Sequence, residues 1–238
     1  MTTLRTLRAA AWADEVAAAF VERLQATPSL RVCLPTGATP IPVYDALAAR
    51  IERGDASFAQ ATVILLDEWV GLPPGDPARC DTRLRAQLLD RLQVAPAAVH
   101  TIEVDAPDLD AAAERHAACS LDLDLVVLGL GMNGHVGFNE PGSFPDSPTR
   151  VVRLAASSRE SAMARYGAAT VPTAGFTLGM DRILAAREVW LLVTGERKAP
   201  ILRRALRDPE GPDCPASYLR RHGGLTVFAD QEAAALLG

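Results

Sequence analysis

A glycine-rich stretch at residues 129–143, GLGMNGHVGFNEPGS, contains three polar side chains that could do chemistry: Asn133, His135 and Glu140. An imidazole beside a carboxylate can accept and donate protons near neutral pH. The trio therefore predicts acid and base catalysis. A structural role for a lone histidine is the alternative interpretation.

The glycines at positions 129, 131 and 134 also have the spacing of a dinucleotide-binding fingerprint. Such a fingerprint runs directly into a long helix and is followed about 20 positions later by an acidic residue. Here Asn139, Pro141 and Gly142 would break a helix within two turns, and that acidic residue is missing. We therefore expect a bent loop that presents the polar trio, and no nucleotide cofactor.

A second acidic site follows another apolar run, in LLDEWVGLP, where Asp67 and Glu68 are adjacent. A carboxylate that is partly buried has a raised pKa and can remove a proton from a carbon next to a carbonyl. Asp67 is thus a candidate base. From this stretch alone, a helix cap or a salt bridge at the end of a strand explains the two acids equally well.

Two further stretches could bind an anion. In PTGATP, Thr36, Gly37 and Thr39 precede a helix that Thr39 is placed to cap, and free N–H groups at a helix start attract negative groups. A plain capped turn is the alternative.

In VTGERK, Lys198 is the single lysine among 24 basic residues and lies at the start of a helix. An ammonium there opposes the helix dipole unless an anion also binds, which favours function over a plain surface lysine.

Apolar runs and amphipathic segments alternate around these stretches, which is the pattern of parallel strands covered by crossover helices. The sequence predicts strands at 31–34, 62–66, 99–103, 123–128, 189–194 and 225–229. It predicts helices at 12–25, 40–53, 82–92, 109–120, 159–166, 180–186, 196–206 and 231–237. No linker or repeat interrupts the series, so we expect residues 1–238 to form one doubly wound, Rossmann-like α/β domain with a mostly parallel sheet flanked by helices. Ligands of such sheets bind beyond the carboxyl ends of the strands.

The composition disfavours several classes of function. The formal charge of −5 argues against nucleic acid as a partner, because phosphate backbones require a basic surface. No apolar run approaches the roughly 20 residues of a membrane helix. Asp14 and Glu15 interrupt the first apolar segment, which is unlike a secretory signal. A cytoplasmic protein is expected.

Metal and nucleophile chemistry are disfavoured by residue spacing. The four cysteines form no paired motif of a zinc site, which predicts free thiols in a reducing compartment and no bound metal. The four histidines include no H-x-x-x-H pair. The chain also lacks the G-x-S-x-G elbow of serine hydrolases.

Together, the motifs resemble those of the amino-sugar 6-phosphate deaminase/isomerases, relatives of the 6-phosphogluconolactonases, over nearly the whole chain. The matching segments, in order, are LPTGATP, LLDEWVGLP, LGLGMNGHVGFNEPGS, Thr149-Arg150, TLGMDRIL and VTGERK. Lactonases share several of these features, but in them a Thr-Ala-Ser-Leu-Phe-Pro type of sequence usually follows the histidine. The VGFNEPGS that follows His135 here is similar to the deaminase branch.

The resemblance implies ring opening, aldose-to-ketose isomerisation and loss of ammonia from glucosamine 6-phosphate or galactosamine 6-phosphate, with no cofactor. It implies that Asp67 moves a proton between C2 and C1, that His135 opens the pyranose ring and that Glu140 orients His135. The residues that it implies bind the sugar phosphate are Thr36, Gly37, Thr39, Lys198 and Arg165. Arg159 is the alternative to Arg165.

The chain departs from the family pattern at Asn133, where glucosamine 6-phosphate deaminases typically carry an aspartate. An amide cannot supply the charge that favours imidazolium, so Glu140 is expected to be the main anionic partner of His135. The Asn-Gly-His form and the late PASYLRRH segment resemble the galactosamine 6-phosphate branch, which favours the galacto substrate and leaves the gluco one open.

A second departure is the ending, which is short for an allosteric relative, and the Thr149-Arg150-Val151-Val152 stretch contains no lysine. Activation by an N-acetylated sugar phosphate is therefore not expected. A lactonase and a non-catalytic sugar-phosphate sensor are the alternative functions. The sequence leaves both a monomer and a homo-oligomer open.

Overall fold

The computed structural model describes residues 2–92, 99–166 and 171–238, without the side chains of Ser161, Arg165 and Tyr166. Its strands are β1 (Thr3–Leu7), β2 (Arg31–Leu34), β3 (Thr62–Leu65), β4 (Asp67–Val70), β5 (Val99–His100), β6 (Leu125–Gly129), β7 (Arg150–Arg153), β8 (Ala174–Thr177), β9 (Glu188–Val193) and β10 (Leu225–Asp230). Its α-helices are α1 (Ala9–Ala26), α2 (Ile41–Glu52), α3 (Cys80–Leu84), α4 (Asp90–Leu92), α5 (Leu109–Cys119), α6 (Ala156–Tyr166), α7 (Met180–Ala185) and α8 (Ala199–Arg207).

Seven strands form one parallel sheet in the order β1-β10-β9-β6-β2-β3-β5. From β2 the chain moves outward in one direction through β3 and β5. From β6, the neighbour of β2, it moves in the opposite direction through β9 and β10. The order of the strands therefore reverses between β2 and β6, and an open sheet has its binding crevice at such a reversal. The predicted α/β fold with a mostly parallel sheet is confirmed; its extent as a single domain stays a prediction.

The continuous apolar character of the central strands follows from their burial on both faces. In β6, Leu125 and Val127 pack into one core, whereas Val126 and Leu128 pack into the core on the other face. Because side chains alternate along a strand, a sheet covered by helices on both sides requires apolar residues at every position. This is why apolar runs located the five inner strands, β2, β3, β6, β9 and β10, to within two residues. The sixth predicted strand, at 99–103, corresponds to the two-residue edge strand β5.

A second, three-stranded sheet with the order β4-β8-β7 was not predicted. It is antiparallel, and Asp67 of β4 pairs with Thr177 of β8, which in turn pairs with Arg150 of β7. Each of these strands has only four residues. Strands so short carry little periodicity, and their pairing depends on segments about a hundred residues apart in the chain. The edge strand β1, which is largely exposed, was missed for a similar reason.

The predicted helix at 231–237 is wrong. These residues form turns, in which the backbone N–H of Ala233 donates to the Asp230 carboxylate and the N–H of Leu237 donates to the carbonyl of Ala234. The predicted helix at 82–92 is divided by a π-helical turn at Arg85–Leu89, and a 3₁₀ turn at Glu196–Lys198 precedes α8. Within the described ranges, no helix is both long and apolar enough to cross a membrane.

Candidate active site

The residues predicted to do chemistry lie on four loops that follow β9, β6, β2 and β3. These strands are consecutive in the sheet. Because neighbouring strands lie about 4.8 Å apart, the ends of β6 and β3 are separated by about 10 Å. One hexose-sized ligand between them could therefore touch loops from both sides of the crevice.

Glycines shape the loop after β6 around the ring of His135. The N–H of Gly131 donates to the carbonyl of His135 at 2.9 Å, and the N–H of Gly134 donates to the carbonyl of Gly131 at 3.1 Å. A Cβ on Gly131 would come within 2.5 Å of several ring atoms of His135, and Gly134 has a φ of +89°. Two of the three glycines that imitate a nucleotide fingerprint, Gly131 and Gly134, are thus explained by a tight turn with an imidazole packed on its backbone.

The trio on this loop forms a hydrogen-bonded cluster. Oε2 of Glu140 lies 3.4 Å from Nδ1 of His135 and accepts a hydrogen bond from Nδ2 of Asn133 at 2.8 Å. Asn133 also accepts the backbone N–H of His135 through Oδ1, at 3.1 Å. The side chain of Glu140 is only 9% exposed and that of His135 is 22% exposed. Asn133 thus holds both the carboxylate and the backbone that carries the imidazole.

Glu140 is ionised throughout the neutral range. Burial acts to raise its pKa, but the hydrogen bond and charge of His135 and hydrogen bonds from Ser158 and Asn133 outweigh burial and lower the pKa to about 2. An ionised carboxylate can only accept hydrogen bonds. Glu140 is therefore suited to orient the imidazole and to stabilise it when it carries a proton.

Ser158, in the first turn of α6, is part of this cluster and was missed in the sequence. Its Oγ lies 3.2 Å from Nδ1 of His135 and 3.5 Å from Nδ2 of Asn133. Ala155, just before α6, donates its N–H to Oε1 of Glu140 at 3.4 Å. A serine within the polar segment ASSRES has no distinguishing motif, so only the tertiary structure identifies it.

Asp67 begins β4, directly beyond the buried end of β3, and is 9% exposed. Burial and the charge of Glu68 raise its pKa from 3.8 to about 7, against a hydrogen bond from Cys80 that lowers it. A carboxyl group that is half ionised near neutral pH is well matched to act as a general base. The role of Asp67 as the base stays a prediction.

Glu68, next to Asp67, points away from solvent and fastens β4 to α3. Its carboxylate accepts backbone N–H groups of Trp69, Cys80 and Asp81 at 2.7 to 2.8 Å. Arg79, itself 4% exposed, lies 3.9 Å away and also pairs with Asp81 and Asp105. The structure thus gives the second acid the capping role that was one of the two interpretations of the pair.

Contacts across the crevice join the loop after β6 to the Asp67 region. Thr177, the partner of Asp67 in the small sheet, accepts the N–H of Phe138 at 3.1 Å. Gly137 has a φ of +56°, and a Cβ there would lie 3.3 Å from Cγ of Leu66, the residue before Asp67. The missing side chain at position 137 lets the His135 loop approach the base.

The candidate anion loop after β2 differs in part from expectation. Gly37 has a φ of +134°, which favours glycine, but α2 begins at Ile41 with Pro40 before it and no side chain caps it. The capping role predicted for Thr39 is therefore wrong. Thr36 hydrogen-bonds to Cys80 and so reaches the surroundings of Asp67.

A cleft of about 420 Å³ lies beside this loop, lined by Thr39, Trp12, Thr194 and Asp230 among others. The Asp230 carboxylate accepts N–H groups of Gly195 and Ala233 at 2.9 and 2.7 Å. A carboxylate in its wall makes this cleft a poor site for a phosphate. The face of the loop toward Thr36 is therefore the better candidate for anion binding.

Lys198 lies in the 3₁₀ turn before α8 and donates from Nζ to the carbonyl of Leu130 at 2.5 Å. This contact places the ammonium against the start of the His135 loop. Of the two candidate arginines on α6, the side chain of Arg165 lies outside the described residues. Nε of Arg159 is buried and has no hydrogen-bond partner in the part of the chain that is described.

A candidate acid–base pair and a candidate anion loop at the reversal point of a parallel sheet are the arrangement expected of α/β enzymes that act on small anionic substrates. The chain belongs to the family described as glucosamine-6-phosphate isomerases and 6-phosphogluconolactonases, whose family model matches residues 5–228. The resemblance predicted from the sequence is confirmed, and the chain is an enzyme of this family.

Individual relatives support the assignment of the chain to this family. The chain is 39% identical to a glucosamine-6-phosphate deaminase of Rhodopirellula baltica over 93% of this chain and 90% of the relative. It is 38% identical to the glucosamine-6-phosphate deaminase of Streptomyces coelicolor over 96% of this chain and 90% of that relative. A solved monomeric glucosamine-6-phosphate deaminase matches with a TM-score of 0.94 at 30% identity, covering 98% of this chain and 99% of its own. A 6-phosphogluconolactonase of Thermotoga maritima, at 22% identity and a TM-score of 0.76 over 97% and 99%, shares the fold.

Proposed function

We propose that the chain is an amino-sugar 6-phosphate deaminase/isomerase that converts glucosamine 6-phosphate or galactosamine 6-phosphate, with water, to fructose 6-phosphate or tagatose 6-phosphate and ammonia. The observation that carries the proposal is a buried Asp67 with a pKa of about 7, two strands away from the His135–Glu140 pair. The names of the relatives that match over nine tenths of the chain support it.

The reaction needs two separate proton transfers, and the two clusters supply them. In the first, His135 takes the proton of the C1 hydroxyl and returns it to the ring oxygen, which opens the pyranose to an aldehyde. In the second, ionised Asp67 removes the hydrogen from C2 while O1 gains a proton, which gives an enolamine. Return of the hydrogen from Asp67 to C1 and loss of one proton from the nitrogen then leave a hydroxymethyl group at C1 and an imine at C2. Water then adds to the imine and ammonia leaves. No electrons leave the substrate, so no redox cofactor takes part.

The phosphate is assigned to the loop of Thr36, Gly37 and Thr39, with Lys198 at its side. Lys198 contacts the Leu130 carbonyl at the start of the His135 loop, so its charge is held beside the crevice. We propose Arg159 as the third cation in preference to Arg165, because its buried Nε has no hydrogen-bond partner among the described residues.

Substrate epimer, assembly and location remain predictions. The deaminases named above act on glucosamine 6-phosphate by name, whereas the Asn-Gly-His form and PASYLRRH segment favour the galacto epimer. That segment does contact the site: the N–H of Ala216 donates to the carbonyl of Gly134 at 2.9 Å, and Cys214 packs on Gly134. A monomer is supported by the solved monomeric relative. A cytoplasmic location is the expectation from the sequence.

Ammonia release tests the proposal. Purified protein is incubated separately with glucosamine 6-phosphate, galactosamine 6-phosphate and 6-phosphogluconolactone, and ammonia and lactone hydrolysis are measured. Ammonia from either amino sugar is the expected result, and the ratio of kcat/KM values determines the epimer. Lactone hydrolysis without ammonia would instead establish the lactonase alternative. Binding of all three without turnover would establish a sensor.

A further inference from the structure

Ser158 lies beside Nδ1 of His135, the histidine that is proposed to transfer protons. Its hydroxyl is 3.2 Å from Nδ1 of His135, and it also hydrogen-bonds to the Glu140 carboxylate. Ser158 is 9% exposed, so water does not readily replace these contacts. The helix that carries it begins next to Ala155, whose N–H is directed at the same carboxylate.

The polar atoms around Nδ1 decide which ring nitrogen carries the proton in the neutral imidazole. Ionised Glu140 presents a lone pair at 3.4 Å and cannot donate. A bare lone pair on Nδ1 would therefore face the carboxylate and be repelled by it. With the hydrogen on Nδ1, the ring donates to Ser158 and Glu140, while the Ser158 hydroxyl keeps its own hydrogen to donate to Glu140.

The second nitrogen of the ring is left for chemistry. Nε2 forms no hydrogen bond within the described ranges, and it lies on the edge of the ring that packs against Gly131, where a Cβ would come within 2.4 Å of it. A neutral histidine with hydrogen on Nδ1 has its basic lone pair on Nε2. The tautomer therefore determines whether His135 can accept a proton from the sugar.

We infer that Ser158 is a positioning residue for His135: its hydroxyl, together with Glu140, keeps the neutral imidazole protonated on Nδ1 and leaves Nε2 to exchange a proton with the sugar ring. The sugar in this statement rests on the proposed function, whereas the contact and the tautomer do not.

Kinetics test the inference through matched variants. Ser158→Ala removes the hydroxyl, and kcat is expected to fall about tenfold with KM within about threefold, because the phosphate contacts are untouched. Ser158→Thr keeps the hydroxyl and should recover kcat to within about threefold of the wild type. Ser157→Ala is the control, since Ser157 is exposed and hydrogen-bonds to Nδ2 of Asn133 at 3.4 Å, and the kcat of this variant should change less than twofold.

Nitrogen NMR of His135 tests the tautomer without any substrate. The wild-type ring should show hydrogen on Nδ1 when neutral, and Ser158→Ala should show a measurable fraction with hydrogen on Nε2. A wild-type ring protonated on Nε2 would overturn the inference, even if the alanine variant did not fold. So would an alanine variant with wild-type kcat and tautomer. If no amino-sugar phosphate is turned over, the proposed function fails, while the NMR comparison still decides the role of Ser158.

Discussion

Nδ2 of Asn133 donates to Oε2 of Glu140 at 2.8 Å, at the position where the sequence departs from the aspartate expected from its family resemblance. The amide gives the carboxylate a donor instead of a second negative charge. Glu140 is consequently the charged partner of His135, as expected from the sequence, and its pKa of about 2 depends in part on this contact. The network thus has one full charge where the usual pattern has two.

Asn133→Asp restores the usual pattern and should disturb this network. Its Oδ1 can still accept the backbone N–H of His135, but the other oxygen then faces Glu140 at the distance now spanned by a hydrogen bond. Two carboxylates so close repel each other, so the pKa of Glu140 should rise by more than one unit. Carboxyl carbon NMR of Glu140 across pH 2 to 7 measures this change. An unchanged Glu140 titration would show that the amide does not contribute to it.

The candidate site could be predicted where chemistry coincides with a strand end. Asp67, His135 and Glu140 each follow an apolar run, and parallel topology then places them along one edge. Ser158 and Cys80 could not be found in this way. They reach the site from α6 and α3 through packing between elements that are distant in sequence, and neither has a motif around it.

Asp67→Asn should stabilise the protein at alkaline pH while abolishing catalysis. The folded-state pKa of Asp67 is raised to about 7, so the stability linked to its protonated form is present below about pH 4 and is lost as the pH rises through 7. An amide avoids this cost, and a gain of about 2–4 kcal/mol in the free energy of unfolding is expected at pH 8, with almost none at pH 4. Urea unfolding at both pH values measures it.

The same variant should lose hydrogen exchange at C2 of the substrate in deuterated water, because an amide is not a base, while binding of the phosphate group is kept. Asp213→Asn is the control, since Asp213 is exposed and its amide should give no pH-dependent gain. Equal stability of Asp67→Asn and wild type at pH 8 would contradict the raised pKa. Normal turnover would contradict the assignment of the base.

Some strands of the fold can be predicted from the pattern of apolar residues, and others cannot. Strands such as β6 are buried on both faces, so their composition alone identifies them. The small sheet that holds Asp67 in β4 is different, because its residues DEWV, RVVR and AGFT acquire extended structure only by pairing with one another. Sequence patterns indicate which residues of a local segment are buried, whereas this sheet forms through contacts between segments that are distant in the chain. Such patterns therefore do not predict it.

Glu68→Gln should shift the pH dependence of catalysis, although Glu68 does not touch the crevice. Its charge helps to raise the pKa of Asp67, so removal should lower that pKa and move the acidic limb of kcat/KM down by about half a unit to one unit. The fold should also lose about 1–3 kcal/mol, because the three N–H groups that meet the carboxylate lose an anionic acceptor. Initial rates from pH 5 to 9 and urea unfolding measure the two effects.

Asp105→Asn separates these effects, since Asp105 pairs with the same Arg79 but its side chain is 52% exposed. The Asp105→Asn substitution should not shift the acidic limb of the pH dependence of kcat/KM. An acidic limb that stays fixed in Glu68→Gln, or that moves upward, would show that Glu68 acts on Asp67 only through structure.

Lys198→Ala should raise KM for the phosphorylated substrate by about 10- to 100-fold, because one charged contact to a phosphate contributes about 1.5–3 kcal/mol. The effect on kcat should be smaller, since the ammonium is held by the Leu130 carbonyl rather than by the acid–base pair. Arg197→Ala is the matched control: Arg197 lies in the same turn but lines a separate surface groove with Met132 and Arg204. Steady-state kinetics and competition by inorganic phosphate measure both variants. If the two substitutions raised KM equally, Lys198 would contribute only general positive charge and would not bind the phosphate directly.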